Sequence, residues 1–180
     1  GFEDHLMEFL ERNKDRKDLQ VVAVCGRNEG LKGRLERGER LVKKRRKIRF
    51  WKVKAETVGS PRGELEIHAL SFTSRIPELM SASSILVTKA GPGTIAEAAA
   101  LSLPTLMTSF LPGQEAGNVD VVLEKGFGDY VKDPKEAAAV LTDWCNDEKL
   151  RRVMSNNAKQ VGDAGAAERI ANDVWRDWIR

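Results

Sequence analysis

The chain has 180 residues, 41% hydrophobic and 32% charged, enough for one domain with a core of its own. No apolar stretch approaches the roughly 18 residues of a membrane span, and the first residues carry no basic-then-apolar leader pattern, so neither a spanning helix nor a signal peptide is expected. The net charge is only +3 and unevenly placed: ten basic side chains and one acid, Glu39, fall between residues 37 and 54, which argues against a domain dominated by nucleic-acid binding.

Two well-separated cysteines, Cys25 and Cys145, point to reduced, buried thiols in a cytosolic setting. His5 and His68 are the only histidines, and neither has a ligand-like neighbour at helical spacing. No metal and no cofactor are therefore expected.

In chain order, Leu6 and Leu10 with flanking charges predict a short opening helix. Residues 19–24 form a near-continuous apolar run (Val21, Val22, Ala23, Val24), the mark of a strand buried on both faces. The turn Cys25-Gly26-Arg27-Asn28 leads into a helix expected to reach about Val42. Residues 65–72 read as a second strand, after the breaker Gly59-Ser60-Pro61-Arg62-Gly63. Ile76, Leu79 and Met80 give a short helix, residues 85–87 a third strand, and residues 94–101 its helix. Pro104 introduces a fourth strand over 105–108, and a helix starts near Glu115. A short strand near Tyr130 and Val131 precedes a helix from Pro134 that carries Ala137, Ala138, Val140, Leu141, Trp144 and Cys145 at i, i+1, i+3, i+4, i+7 and i+8. Two more helices, around 150–161 and 166–179, close the chain; Trp144, Trp175 and Trp178 read as packing residues. Alternating strands and helices imply an α/β fold, a doubly wound parallel sheet, in which ligands bind beyond the strands' C-terminal ends.

The most informative segment is Val87-Thr88-Lys89-Ala90-Gly91-Pro92-Gly93-Thr94-Ile95-Ala96-Glu97-Ala98, where a strand meets a glycine turn and a helix start. Glycines let the backbone approach a phosphate, and the helix's free N–H groups and dipole favour negative charge. Glu97 sits one turn inside the helix, within reach of ribose hydroxyls. A nucleotide site and a plain structural turn both fit these residues.

Lys89-Ala-Gly-Pro-Gly-Thr-Ile-Ala-Glu-Ala98, followed by Leu103-Pro104 and then Gly113-Gln114-Glu115-Ala116-Gly117-Asn118, resembles the C-terminal half of monogalactosyldiacylglycerol synthase-like family 28 glycosyltransferases, which have the GT-B fold. Val24-Cys25-Gly26-Arg27-Asn28 is similar to theirs as well, and the resemblance covers most of residues 19–131. It implies a single Rossmann-like, UDP-sugar-binding domain over residues 1–180, with a basic insertion at about 37–63. It further implies that Gly91, Gly93, Thr94 and Lys89 surround the diphosphate and that Glu97 holds the ribose. Gly26, Arg27 and Asn28 would line the cleft, and Phe72 would sit by the uracil. The family has a glycine before this aromatic, where this chain has Ser71. Gln114, Glu115 and Asn118 would form the sugar-binding set.

The activity so implied is transfer of a hexose, galactose or glucose, from a UDP-sugar to a lipid acceptor such as diacylglycerol. The general base and the acceptor site belong to an N-terminal domain or partner subunit, so the chain is expected to be a donor-binding half. Two alternatives stay open: the soluble subunit of a split N-acetylglucosaminyltransferase acting on a dolichol-linked acceptor, and a non-catalytic nucleotide-sugar-binding module. Lys43, Lys44, Arg45, Arg46, Lys47 and Arg49, beside Phe50 and Trp51, read either as a solvated insertion or as a contact with an anionic membrane on its cytoplasmic face.

Overall fold

The computed structural model describes residues 2–16, 18–37, 65–163 and 165–179. The basic segment, with Phe50 and Trp51 and the far end of the second helix, lies outside the described residues. The elements are α1 (Phe2–Arg12), β1 (Gln20–Gly26), α2 (Glu29–Glu36), β2 (Glu66–Ser71), α3 (Ile76–Ser81), β3 (Leu86–Lys89), α4 (Pro92–Ala100), β4 (Thr105–Ser109), α5 (Ala116–Lys125), β5 (Gly128–Tyr130), α6 (Pro134–Asn146), α7 (Glu148–Val161) and α8 (Ala166–Val174), followed by a π-helical turn, Trp175–Ile179. Strands and helices alternate as expected, and every strand pair is parallel. No helix among the described residues is long and apolar enough to cross a membrane.

The chain forms two compact units. The first takes in Gly1–Leu79 and Asp133–Thr142. Here β1 and β2 pair in register from Gln20 opposite Glu66 to Gly26 opposite Ser71. The period-2 alternation of a strand aims Ala23 at a core of Leu6, Leu10, Leu31, Leu35, Leu65 and Ile67, against which Val21 and Cys25 also pack. Helix α1 reaches this unit's interior through Leu6, Phe9 and Leu10, and Asn13 just past its end continues that face. The buried Asn13 amide donates to Phe9 O at 2.9 Å and to Thr142 Oγ1 at 2.9 Å. β1 does not bury both faces: Val22 and Val24, on the side opposite the core cluster, stay about 40% exposed. Cys25 is half-buried, and burial pushes its thiol pKa up.

The second unit takes in Met80–Lys132 and Asp143–Arg180. Its sheet has the order β3-β4-β5, with Leu86 opposite Thr105 and Thr105 opposite Gly128. The central strand β4 buries Thr105, Leu106, Met107 and Thr108, as a strand covered on both faces must. Ile95 and Ala99 of α4, Val119 and Val122 of α5, Phe127 and Ala158 close over Met107 and Ala90. Two glycines allow the tight fit. A Cβ at Gly128 would lie 1.9 Å from Thr105 O, and one at Gly162 2.3 Å from Ala99 O. Gly126 ends α5 in the left-handed conformation at φ +66°, a C-terminal stop that favours glycine.

Trp144 is buried, as its spacing suggested, but Trp175 and Trp178 are 63% and 85% exposed. Ile170 and Val174 share that exposed stripe. The spacing reported an apolar face correctly; burial needs an element to cover it, and none of the described residues does.

Candidate functional site

Helix α4 begins at Pro92, with Gly91 as its N-cap in extended conformation and no side chain capping its N–H groups. Gly91 N–H turns back to Lys89 O at 2.8 Å, which bends the strand sharply into the helix. Pro92 has no N–H, so the open donors of the first turn belong to Gly93 and Thr94. A Cβ at Gly93 would meet nothing within 4 Å, so this backbone faces open space. Glu97 lies one turn on from Gly93, on the same helical face, and is exposed.

Around this helix start the structure gathers Lys89, Glu115 and Asn118. Asn118 Nδ2 donates to Ala90 O at 2.8 Å and ties α5 to the turn. Lys89 Nζ meets Glu115 Oε1 at 2.6 Å, and Leu111 N–H donates to Glu115 Oε2 at 2.7 Å. Both carboxylate oxygens are therefore engaged inside the protein. The Lys89 ammonium, with the Leu111 N–H, holds the Glu115 carboxyl below the usual carboxylate range. The pair lies over the N-cap: a Cβ at Gly91 would be 3.6 Å from Lys89 Nζ and 3.9 Å from Glu115 Oε1. Gln114, in the same loop after Gly113 (φ +80°), is exposed.

The other candidates collect in the first unit, at the C-terminal ends of β1 and β2. Gly26, at φ +60°, turns the chain out of β1 opposite Ser71. Arg27 and Asn28 are exposed; Asn28 Oδ1 caps α2 by accepting from Leu31 N–H at 3.0 Å. Phe72 is 78% exposed, so it stands at the strand end as a free face and not as core. Ser71 Oγ donates to Glu29 Oε1 at 2.9 Å, which links that strand end to the first turn of α2.

Sequence reasoning missed the Lys89–Glu115 contact and the Leu111 N–H behind it. A signal existed: in a parallel sheet with β3 beside β4, the residue ending β3 and the loop leaving β4 are neighbours in space. Among the described residues no group of three His, Cys, Asp or Glu side chains is placed to hold a metal ion.

Comparison with known proteins points in one direction. Residues 5–121 match the family model for the glycosyltransferase family 28 C-terminal domain. The chain is 35% identical over 156 residues to the chloroplastic monogalactosyldiacylglycerol synthase of Spinacia oleracea, covering 86% of this chain and 26% of that protein. It is 34% identical over 167 residues to monogalactosyldiacylglycerol synthase 1 of Arabidopsis thaliana, covering 92% of this chain and 27% of the relative. The chain thus spans about a quarter of the length of these relatives. In structure it is similar to MurG of Acinetobacter baumannii, with a TM-score of 0.68 at 15% identity over 97% of this chain and 46% of that one. It is also similar to S. aureus MnaA, solved with UDP, with a TM-score of 0.65 at 16% identity over 96% of this chain and 41% of the other. These likenesses carry the fold, a Rossmann-like half of a GT-B glycosyltransferase.

Proposed function

Because the chain belongs to the glycosyltransferase family 28 C-terminal domain family, we propose that it is the donor-binding half of a hexosyltransferase that moves galactose or glucose from a UDP-sugar to a lipid acceptor such as diacylglycerol. The observation that carries this reading is the start of α4: a helix N-terminus with no side-chain cap, an open approach at Gly93 and a lysine held beside it. Backbone N–H groups and the helix dipole favour an anion there, and membership of the family supports reading that anion as the donor's diphosphate.

In this reading Gly91, Gly93 and Thr94 cradle the diphosphate, and Lys89 supplies a point charge. Glu97 accepts from the ribose hydroxyls one helical turn away. Gln114, Glu115 and Asn118 form the sugar end, with Gln114 in direct contact. Gly26, Arg27 and Asn28 contribute from the end of β1, and Phe72 offers its face to the uracil. No metal and no cofactor are required, so chelators leave donor binding unchanged. The acceptor and the general base come from a further domain or partner subunit, and the chain on its own transfers no sugar. The enzyme works at an anionic membrane on its cytoplasmic face, with Lys43, Lys44, Arg45, Arg46, Lys47 and Arg49 as the contact; clustered basic residues contribute about 1 kcal/mol each at such a surface.

Calorimetric titration with UDP is the test. The 180-residue chain binds UDP, and Glu97→Ala binds roughly tenfold or more weakly, because each hydrogen bond to a charged acceptor is worth about 1.5–3 kcal/mol. Equal affinities would remove Glu97 from the site. Glycolipid formation by this chain alone from UDP-galactose or UDP-glucose would overturn the half-enzyme reading, and UDP binding without turnover after restoring the missing half would favour a binding module. Failure to sediment with anionic liposomes at low salt would remove the membrane contact.

A further inference from the structure

The Lys89–Glu115 pair is built unlike the other ion pairs of the second unit. Other pairs between described residues, such as Arg152 with Glu148 on one helix or Arg169 with Asp163, join exposed side chains no more than six residues apart. Lys89 and Glu115 are 26 residues apart in sequence, and their charges are unequally placed: the Lys89 side chain is 64% exposed, the Glu115 side chain only 8%. Glu115 is also anchored from behind. Its backbone N–H donates to Leu111 O at 3.0 Å, and its Oε2 accepts from Leu111 N–H at 2.7 Å, so loop and side chain lock each other. A fixed, buried acceptor therefore holds the tip of a long, otherwise exposed lysine over the N-cap of α4. One of the ammonium's three donors is spent on Glu115, and two remain for a ligand.

From this geometry we propose that Glu115 is a positioning residue. Whatever it contributes at the sugar end, it fixes Lys89 Nζ beside Gly91 and closes the 111–115 loop, so that the lysine meets the donor's diphosphate already in place. The inference rests on the donor-binding reading above. Its physical content is entropy: an unrestrained lysine loses rotamer freedom when it engages a phosphate, whereas a braced one has lost that freedom before the ligand arrives. Removing the carboxylate also removes a negative charge from the neighbourhood of the diphosphate, an effect of opposite sign. The brace is expected to dominate, because the carboxylate already faces the ammonium and is largely neutralised by it.

The test uses the whole 180-residue chain and two probes, UDP and uridine, in calorimetric titrations of the wild type, Lys89→Ala, Glu115→Gln and the double variant. Uridine lacks the diphosphate, so it reports the rest of the site and whether the variant is folded. Glu115→Gln is expected to bind UDP about threefold to tenfold more weakly, with uridine affinity unchanged. In the Lys89→Ala background the same substitution should cost nothing further against UDP, because its effect runs through the lysine. Should Glu115→Gln fail to fold, Glu115→Asp, which keeps the charge and shortens the reach, is expected to show the same loss against UDP alone. Unchanged or tighter UDP binding in a folded Glu115 variant would overturn the brace, as would an equal loss in the presence and absence of Lys89. If the wild type binds neither probe, the donor-binding reading itself fails; if it binds both and only the Glu115 arms disagree, the brace alone fails.

Discussion

The molecule makes the same connection twice, and finishes it differently. In the first unit β1 turns through Gly26 into α2; in the second β3 turns through Gly91 into α4. Both helices carry glycine as their second residue, Gly30 and Gly93. At α2 the preceding residue, Asn28, folds its side chain onto Leu31 N–H and satisfies the helix end internally. At α4 the preceding residue is Gly91, which has no side chain to offer, and the charge near the turn is a lysine and not a capping oxygen. A helix end costs stability when its donors lack partners. The second crossing leaves its donors open to solvent, and in the proposed reading a ligand anion engages them. On that reading, the two crossings differ in the missing cap together with the lysine beside it, and not in the strand–turn–helix pattern they share.

The matched glycines give the sharpest way to break this comparison. A Cβ at Gly93 enters open space, and a Cβ at Gly30 comes only to 3.5 Å of Asn28 Oδ1, so alanine fits at both positions. In both helices glycine-to-alanine should leave stability unchanged or raise it by up to about 1 kcal/mol. Their effects on UDP should part company. In the proposed reading Gly93→Ala places a methyl group on the diphosphate's approach, would disrupt two charge-assisted hydrogen bonds, and is expected to weaken binding by about a hundredfold or more. Gly30→Ala should change UDP affinity by less than about tenfold. Titration of both variants, with thermal melts as the control, decides it. Equal losses would mean that the effect is not specific to the start of α4; no loss at Gly93 would mean that α4 is a plain connection.

A smaller effect is expected from the cap itself. Asn28→Ala removes the acceptor for Leu31 N–H and should cost about 1 kcal/mol of stability. Gly91→Ala removes no cap, and its Cβ finds ordinary contacts no closer than 3.6 Å, so it should melt like the wild type. A loss at Gly91 as large as that at Asn28 would show that α4 depends on its glycine for stability.

Much of this was legible in the sequence because the decisive signals are local. Lys89 to Glu97 carries its strand end, its turn and its helix start within a dozen residues. Proline at the first helical position and glycine before it are positional preferences of the backbone, not of tertiary packing. What stayed hidden depends on partners far along the chain. Val22 and Val24 read as core because an apolar run cannot say whether one face or two will be covered, and Trp175 and Trp178 mislead for the same reason on a helix. The contacts of Glu115 needed the neighbouring loop: only the fold shows that one oxygen meets Lys89 while the other accepts from Leu111 N–H.

The smallest effect concerns that carboxylate and acid. In the folded chain Glu115 titrates below its ordinary value of 4.5, first because Lys89 donates to its ionised form and then because Leu111 N–H does. A carboxyl whose folded pKa is depressed adds stability that is complete above its unfolded pKa. That stability is lost as pH falls through the folded value. The wild type should therefore melt higher than Glu115→Gln by a constant margin above about pH 5, and the margin should shrink as the pH is lowered further. Asn28→Ala, whose lost bond involves no titrating group, should instead track the wild type at a fixed distance through the same range. Thermal melts of the three proteins between about pH 3 and pH 7 make the comparison. If the Glu115→Gln curve also runs parallel to the wild type down to acid, any margin does not come from ionisation of Glu115, and the charged pair serves only to place the lysine. If the margin closes, the α4 crossing draws from an ion pair some of the stability that α2 draws from a neutral cap.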